Sequence, residues 1–188
     1  MTEEEAIAAA RTGDHGSLAW LMGRYKHMVH TIAMRVLRQR EDAEEVTQDS
    51  FVKAFRSLDG YQGDSKFSTW LYSIAYRSAI SKLRTRRTST TSTDDLSAFE
   101  HLHAEGPSLD GEARDRKRLV EEAVAQLPPE DAAVVTFYYL QEMNVEEIVT
   151  ATGLGASNVK VKLHRSRKRL QEILQTQLKD EVWTLQVD

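Results

Sequence analysis

The chain has 188 residues, of which 40% are hydrophobic and 29% charged, and its formal net charge is −4. This composition is typical of a soluble protein of one or two small domains. With no run of 18 apolar residues, no apolar signal core behind the acidic start Glu3–Glu5 and no cysteine, we expect no transmembrane helix, no secretion, no disulfide and a cytoplasmic location.

The charges are unevenly distributed, and this matters more than their sum. No acidic residue lies between Asp64 and Asp94 or between Gly155 and Gln171, and both tracts are rich in Lys and Arg. Because phosphates respond to the local potential rather than to the net charge of the chain, the two basic tracts predict two separate contacts with DNA.

Helical spacing dominates the first half of the chain. The first strong pattern has apolar residues every three or four positions, at Leu18, Leu21, Met22, Tyr25, Val29, Ile32 and Val36. A second helix is predicted to begin at a capping box of Asp42 and Glu45 and to end near Asp59–Gly60. Taken alone, the acids of Glu41–Asp49 are most simply a solvated helix start favoured by the helix dipole.

Aromatic residues are concentrated around a third predicted helix, for which Ser68 is the expected cap. Five aromatic rings lie within 16 residues and alternate with cations, a composition suited to stacking and holding single-stranded DNA. The alternative is that Phe67 and Trp70 are core residues, and for Trp70 we favour it. Tyr72 and Tyr76, on the polar face of the helix, are the better candidates for contact. The five rings belong to Tyr61, Phe67, Trp70, Tyr72 and Tyr76.

The sequence predicts an all-α fold of two small helical domains, residues 1–87 and 113–188, joined by a flexible acidic linker at 88–112. Ser and Thr followed by acidic residues, with little hydrophobic periodicity, are typical of a linker. His101 and His103 within it have no supporting ligands, so we expect no metal site. Helical periodicity returns before Pro128–Pro129 and again from Asp131 to Leu140, and the residues after Leu174 form a tail without an assigned role.

The most specific signal begins at Asn144, which with Glu147 makes a capping pattern for a short helix. Gly153 supplies the backbone freedom for a turn, and the next helix is strongly basic. A solvated basic helix in an ordinary bundle is the simpler alternative. The turn, the basicity and an apolar register agree better with a helix-turn-helix in a DNA major groove, with its second helix packed through Leu154, Val159 and Leu163.

No enzyme motif accompanies these features. The sequence contains no phosphate-binding Gly-rich loop, no His-Glu-x-x-His and no nucleophile elbow. We therefore expect no catalytic residues, no cofactor and no bound metal.

Taken together, these segments resemble the extracytoplasmic-function sigma factors of the sigma-70 family, the subunits that direct bacterial RNA polymerase to promoters. Residues Glu41–Phe55 resemble region 2.2 of that family and Phe67–Ala75 the start of region 2.4. The resemblance to region 4 is carried by three segments, Leu127–Glu130, Glu146–Ile148 and Val159–Leu170.

The resemblance implies partners for each surface. The acidic helix would dock on the β′ coiled coil of core RNA polymerase through Asp42, Glu45, Gln48 and Asp49, and region 4 would meet the β flap. The −10 promoter element, partly single-stranded, would contact Tyr61, Lys66, Phe67, Ser68, Thr69, Tyr72, Ser73, Tyr76, Arg77, Lys82 and Arg84. The −35 duplex would contact Ser157, Asn158, Lys160, Val161, Lys162, His164 and Arg165. Regulation by an anti-sigma factor is also implied.

Two other functions are compatible with the sequence. One is an autonomous helix-turn-helix regulator with an N-terminal sensing domain, which would bind its operator without polymerase. The other is an adaptor whose basic faces meet acidic proteins. The acidic helix at Glu41–Asp49 disfavours the first, and the salt dependence of DNA binding separates the second.

Overall fold

Every regular element in the computed structural model, which describes residues 1–89 and 111–184, is helical. In chain order the elements are α1 (Glu3–Arg11), α2 (His15–Leu37), α3 (Arg40–Arg56), a 3-10 turn (Leu58–Gly60), α4 (Phe67–Ser89), α5 (Gly111–Ala125), α6 (Pro129–Leu140), α7 (Val145–Thr152) and α8 (Ala156–Thr184). The all-α prediction is confirmed. None of the helices in these two ranges has the length and apolarity needed to span a bilayer.

The N-terminal half is built on α2, which packs against α1, α3 and α4. The predicted apolar spacing is realised, since Leu21, Val29 and Ile32 are fully buried. Helix α1 had no counterpart in the sequence analysis. It begins with a capping box between Thr2 and Glu5, because the threonine hydroxyl accepts from the amide of Glu5 and the glutamate accepts in return.

Two predicted helix starts are displaced. Helix α3 begins at Arg40, two residues before the expected capping box, and its N-cap Gln39 makes no side-chain cap. Asp42 instead lies in the first turn, where Lys82 and Arg86 of α4 pair with its carboxylate at 3.1 Å each. Ser68 is likewise inside α4, which begins at Phe67. In the first of these cases a tertiary ion pair has replaced the local cap.

The C-terminal half consists of α5 to α8. Pro129 opens α6 as its first helical residue, where the missing amide of proline costs no hydrogen bond. Asn144 caps α7, and Gly153 ends it in the left-handed conformation with φ of 74°. A small core of Val124, Leu127, Ala132 and Val135, covered by Leu170, joins α5, α6 and α8. The predicted linker falls mostly outside the described residues, as do His101 and His103.

The two halves also share a larger core. Phe137 of α6 and Ile148 of α7, both fully buried, belong to the same hydrophobic cluster as Phe67 and Leu71 of α4. Helix α7 packs on α4, and α6 packs on α2. The sequence predicted two modules on a tether, and the fold closes one module directly onto the other.

Candidate nucleic-acid interface

The helix-turn-helix of α7 and α8 has the predicted local geometry. The Asn144 side chain accepts from the amide of Glu147 at 2.9 Å, and the Glu147 carboxylate accepts from the amide of Asn144 at 2.9 Å. Val159 and Leu163 are buried against α7, and Leu154 is half-buried. The capping box, the glycine turn and the apolar register are therefore confirmed, and together they hold α8 across α7.

The outer face of α8 is exposed and basic at its N-terminal end. Among the seven residues predicted to contact the −35 duplex, six are exposed: Ser157, Asn158, Lys160, Val161, His164 and Arg165. Exposed amides and cations at the start of a helix are suited to phosphate and base-edge contacts in a major groove.

Lys162 differs from the other six, because its side chain turns toward α6 rather than outward. Its ammonium lies 2.7 Å from Asp131 and 3.2 Å from Glu130, and only 18% of the side chain is exposed. Burial lowers the pKa of Lys162, but the hydrogen bond and charge of Asp131 outweigh it, so the pKa is raised overall. The expected outward orientation is wrong for this residue, since two acids of α6 compete successfully for its charge.

The aromatic cluster lies where the loop after the 3-10 turn meets α4. The rings of Tyr61, Phe67 and Trp70 are 5.3 to 5.5 Å apart, and Tyr25 of α2 extends the cluster at 5.5 Å from Phe67. The Tyr61 hydroxyl donates to the carbonyl of Ser65 at 2.7 Å, which closes the loop. Phe67 is fully buried and Trp70 half-buried, in agreement with the core alternative.

The polar face of α4 is covered by the C-terminal half. Tyr72, Ser73 and Tyr76 are between 3% and 6% exposed, and Thr69 is 1% exposed. The Tyr72 ring stacks on Phe137 at 6.3 Å, and its hydroxyl donates to Oε1 of Gln141 at 2.9 Å. Burial also raises the pKa values of Tyr72 and Tyr76 well above the ordinary tyrosine range. The expectation that these two tyrosines face solvent is wrong for the closed chain, because α6 supplies an apolar surface that the helix pattern of α4 did not reveal.

The remaining candidates for contact with the −10 element differ in exposure. Lys66, Arg77 and Arg84 are exposed, whereas Ser68 and Lys82 are half-buried.

The acidic surface on α3 divides into two parts. Asp42 and Glu45 are occupied within the chain, because Lys82 lies 3.1 Å from the first and 2.6 Å from the second. The hydrogen bond to Glu45 is the main cause of the raised pKa of Lys82. Gln48 and Asp49, one turn further along α3, are exposed, as is Val52, which is 47% exposed beside them. These three present a polar and apolar patch to solvent.

Several contacts that shape this region had no sequence signal. Arg11 of α1 donates to the carbonyl of Tyr61 and so ties α1 to the loop. Arg38 donates to the carbonyl of Leu127 in the other half. Lys66 pairs with Glu147 at 2.8 Å. Each joins residues that are far apart in the chain, so neither periodicity nor motif spacing could have indicated it. Within the described ranges, no three His, Asp or Glu side chains are grouped to hold a metal ion.

Comparison with known proteins finds a matching family model for each half of the chain. Family models described as Sigma-70 region 2 and Sigma-70, region 4 match residues 21–89 and 117–170, together more than half of the chain. The chain is 26% identical to the ECF RNA polymerase sigma factor SigW of Bacillus subtilis, covering 96% of this chain and 98% of that protein. It is 27% identical to the RNA polymerase sigma-H factor of Pseudomonas aeruginosa, covering 95% and 96% of the two chains.

Solved structures that share the fold include two complexes. The sigma factor RpoE of Bartonella quintana, in complex with the anti-sigma factor NepR, superimposes with a TM-score of 0.67 at 20% identity, covering 84% of this chain and 96% of that one. CnrH in complex with the cytosolic domain of CnrY gives a TM-score of 0.65 at 21% identity, covering 93% and 97%.

Proposed function

Because this chain belongs to the sigma-70 family, among its extracytoplasmic-function members, we propose that it binds core RNA polymerase and directs transcription initiation from specific promoters. This function depends on binding energy, and the chain itself catalyses no covalent step. Its place of action is the cytoplasm, where polymerase and DNA meet.

The observation that carries this proposal is the combination of two surfaces on one chain. Helix α8 presents an exposed basic face on a well-formed helix-turn-helix, and α3 presents an exposed polar and apolar patch at Gln48, Asp49 and Val52. A duplex needs the first. The patch on α3 fits a second macromolecule that, unlike DNA, is not negatively charged. This second surface disfavours an autonomous DNA-binding regulator.

We assign the surfaces as follows. The exposed residues at the start of α8 contact the −35 duplex, while Lys162 supports α8 through α6. The loop at Tyr61 to Lys66 and the polar face of α4 bind the −10 element, with bases stacking on tyrosine rings. Gln48 and Asp49 meet the polymerase directly, and Asp42 and Glu45 shape that surface through Lys82. The domain boundaries at 87 and 113 belong to the same proposal.

Regulation by an anti-sigma protein is proposed as well. One solved structure of the same fold was captured with an anti-sigma factor. An inhibitor that covers the basic face of α8 or the patch on α3 would block the surfaces assigned here.

The decisive experiment is in vitro transcription with purified core polymerase and a library of promoter fragments. We expect discrete start sites that depend on this chain, with related sequences centred at −35 and −10. A known sigma factor on its own promoter controls for the activity of the core enzyme. Absence of chain-dependent start sites with an active core would overturn the proposal. Tight binding to an operator without polymerase would favour the autonomous regulator, and a flat salt dependence of DNA binding would favour the adaptor.

A further inference from the structure

Helix α1 holds the aromatic cluster from two sides, through a residue at each of its ends. At its first residue, Glu3 accepts a hydrogen bond from the hydroxyl of Tyr25 and pairs with Arg24 at 3.6 Å. At its last residue, Arg11 donates to the carbonyl of Tyr61. We call the contacts of Glu3 and of Arg11 the two anchors of α1. They connect α1 to α2 on one side and to the loop before α4 on the other.

Apolar packing fixes the body of α1 between its anchors. Ala6, Ile7 and Ala10 are buried, and α1 packs against α2 and against the 3-10 turn that leads into the loop. Burial raises the pKa of Tyr25 to about 12, and the hydrogen bond to Glu3 adds to this effect. The Tyr25 hydroxyl therefore stays protonated and remains a donor throughout the physiological pH range.

The loop that Arg11 holds is mostly exposed. Residues 62–64 are in solvent, and the hydrogen bond from the Tyr61 hydroxyl to the carbonyl of Ser65 closes the loop at 2.7 Å. The carbonyl bound by Arg11 belongs to the first residue of the loop, so the bond sets the direction in which the chain leaves the 3-10 turn. Because the ring of Tyr61 belongs to the aromatic cluster, holding its backbone also holds the ring.

We infer that α1 is a positioning element for recognition of the −10 element, in which Arg11 and Glu3 shape the loop and the aromatic cluster without contacting DNA. The role in DNA binding rests on the proposed function, which assigns the loop to the −10 element, whereas the anchors are a property of the free chain. A loop already held in its bound shape loses less conformational entropy when a strand binds, so it binds that strand more tightly. The match to Sigma-70 region 2 begins at residue 21, so α1 supplies this support from outside the matched segment.

Hydrogen exchange of the free, full chain measures the anchor at Arg11. Arg11→Gln should raise the exchange rate of the amides of residues 61–66 about fivefold, the effect of one lost hydrogen bond, and leave α7 and α8 unchanged. Arg11→Lys keeps a charged donor and should restore part of the protection. Arg116→Gln removes the same charge from an exposed position of α5 and is the matched control. Unchanged exchange of the loop in Arg11→Gln would overturn this anchor.

The anchor at Glu3 has its own variants. Tyr25→Phe keeps the ring, which lies 5.5 Å from that of Phe67, and removes only the hydroxyl that Glu3 holds. It should raise the exchange rate of the amides of α1 about fivefold. Glu3→Gln should act in the same direction, because it loses the charge that pairs with Arg24. Glu4→Gln, exposed in the same turn, is the control. Equal exchange in Tyr25→Phe and in the parent would overturn the anchor at Glu3.

The consequence for DNA is measured with a labelled single strand carrying the −10 element of a promoter recovered from the transcription library. Arg11→Gln and Tyr25→Phe should each bind this strand about fivefold more weakly than the parent, in step with the faster exchange. The slope of log affinity against log salt should not change, because no phosphate contact is lost. Binding of the −35 duplex should match that of the parent.

The salt series separates positioning from direct contact. A slope that falls by about 0.7 in Arg11→Gln would show that Arg11 binds a phosphate of the single strand, and would overturn its positioning role. Faster loop exchange combined with parent-like strand binding would overturn that role as well. Failure to recover any promoter would count against the proposed function, while the exchange measurements would still establish or refute the anchors.

Discussion

At the scale of single residues, exposure decides which charged side chains are available to a partner. Lys160 and Lys162 are two positions apart on the same helix and have the same chemistry. Lys160 is exposed, whereas Lys162 is held by Asp131 and Glu130 of α6. We therefore expect Lys160 to contact DNA and Lys162 to support the fold, and the same substitution at both positions can distinguish these roles.

Lys160→Ala should weaken binding to a −35 duplex and reduce the slope of log affinity against log salt by about one, the signature of one lost phosphate contact. Lys162→Ala should leave that slope nearly unchanged and instead lower the free energy of unfolding by about 1 kcal/mol, because two acids of α6 lose their partner. Filter binding across a salt series and urea unfolding measure the two effects. An equal loss of slope in both variants would contradict the distinction.

The substitution Asp49→Arg tests whether a single residue of the acidic surface on α3 contacts the polymerase. The side chain is exposed on α3, so reversal of its charge should leave the fold intact while reducing capture of core polymerase at least tenfold, a loss of about 1.4 kcal/mol. A pull-down with immobilised core enzyme measures this. Asp59→Arg, also exposed but outside the patch, is the matched control and should behave like the parent. Parent-like capture of the Asp49 variant would remove this residue from the interface.

At the scale of elements, local capping and tertiary pairing compete for the same side chains. Helix α7 uses the cap that its sequence indicates, with both hydrogen bonds between Asn144 and Glu147 in place. Helix α3 does not, because α4 places Lys82 and Arg86 against Asp42. The recognition helix α8 packs on α7, so the stability of the cap on α7 bears on DNA binding.

Asn144→Ala should destabilise the chain by about 1 kcal/mol, the usual cost of losing an N-cap. Thr150→Ala, at an exposed position later in α7, is the control and should not lower stability, since alanine is more favourable than threonine inside a helix. Chemical unfolding of both variants gives the comparison. Equal stability of the Asn144 variant and the parent would show that the cap contributes nothing.

At the scale of the whole molecule, one ion pair makes closure depend on pH. The hydrogen bond from Lys66, followed by that from the amide of Asn144, lowers the pKa of Glu147 below its ordinary value of 4.5. A carboxyl whose pKa is depressed by closure contributes its stabilisation above the ordinary value, and the contribution is lost as the pH falls through the depressed value. Only the Lys66 contribution depends on closure, because the Asn144 amide belongs to the cap of α7 itself. Closure should therefore weaken as the pH falls through the depressed pKa of Glu147, below its ordinary value.

Energy transfer between dyes on cysteines that replace the exposed residues Arg56 of α3 and Arg167 of α8 provides the measurement, because it follows the fraction of closed molecules from pH 7 to pH 3. We expect a decline that begins below the ordinary glutamate range and that is smaller in Glu147→Gln, which has no carboxyl to protonate there. An identical pH profile in both chains would assign the decline to other acids. The decline should be larger when the series is repeated at low salt, since Lys66 is 71% exposed and its charge is readily screened by added salt.

Much of this protein follows from its sequence alone. The periodicity of α2, the capping box of α7 and the glycine turn after it are local properties, fixed by neighbours within a few positions. The confirmed family assignment rests on such local segments in order along the chain. The exposed face of α8 follows for the same reason, because apolar Val159 and Leu163 determine which side is buried.

Only the tertiary structure decided which predicted residues are accessible. Tyr72 and Tyr76 sit on the polar side of their own helix, and nothing within α4 indicates that Phe137 covers them. Lys162 and Gln141 take their polar partners from helices 30 or more positions away. Helix periodicity specifies one buried face per helix. A second buried face or a paired lysine arises only when helices distant in the sequence pack together, and that packing depends on contacts too far apart in the chain to form a pattern.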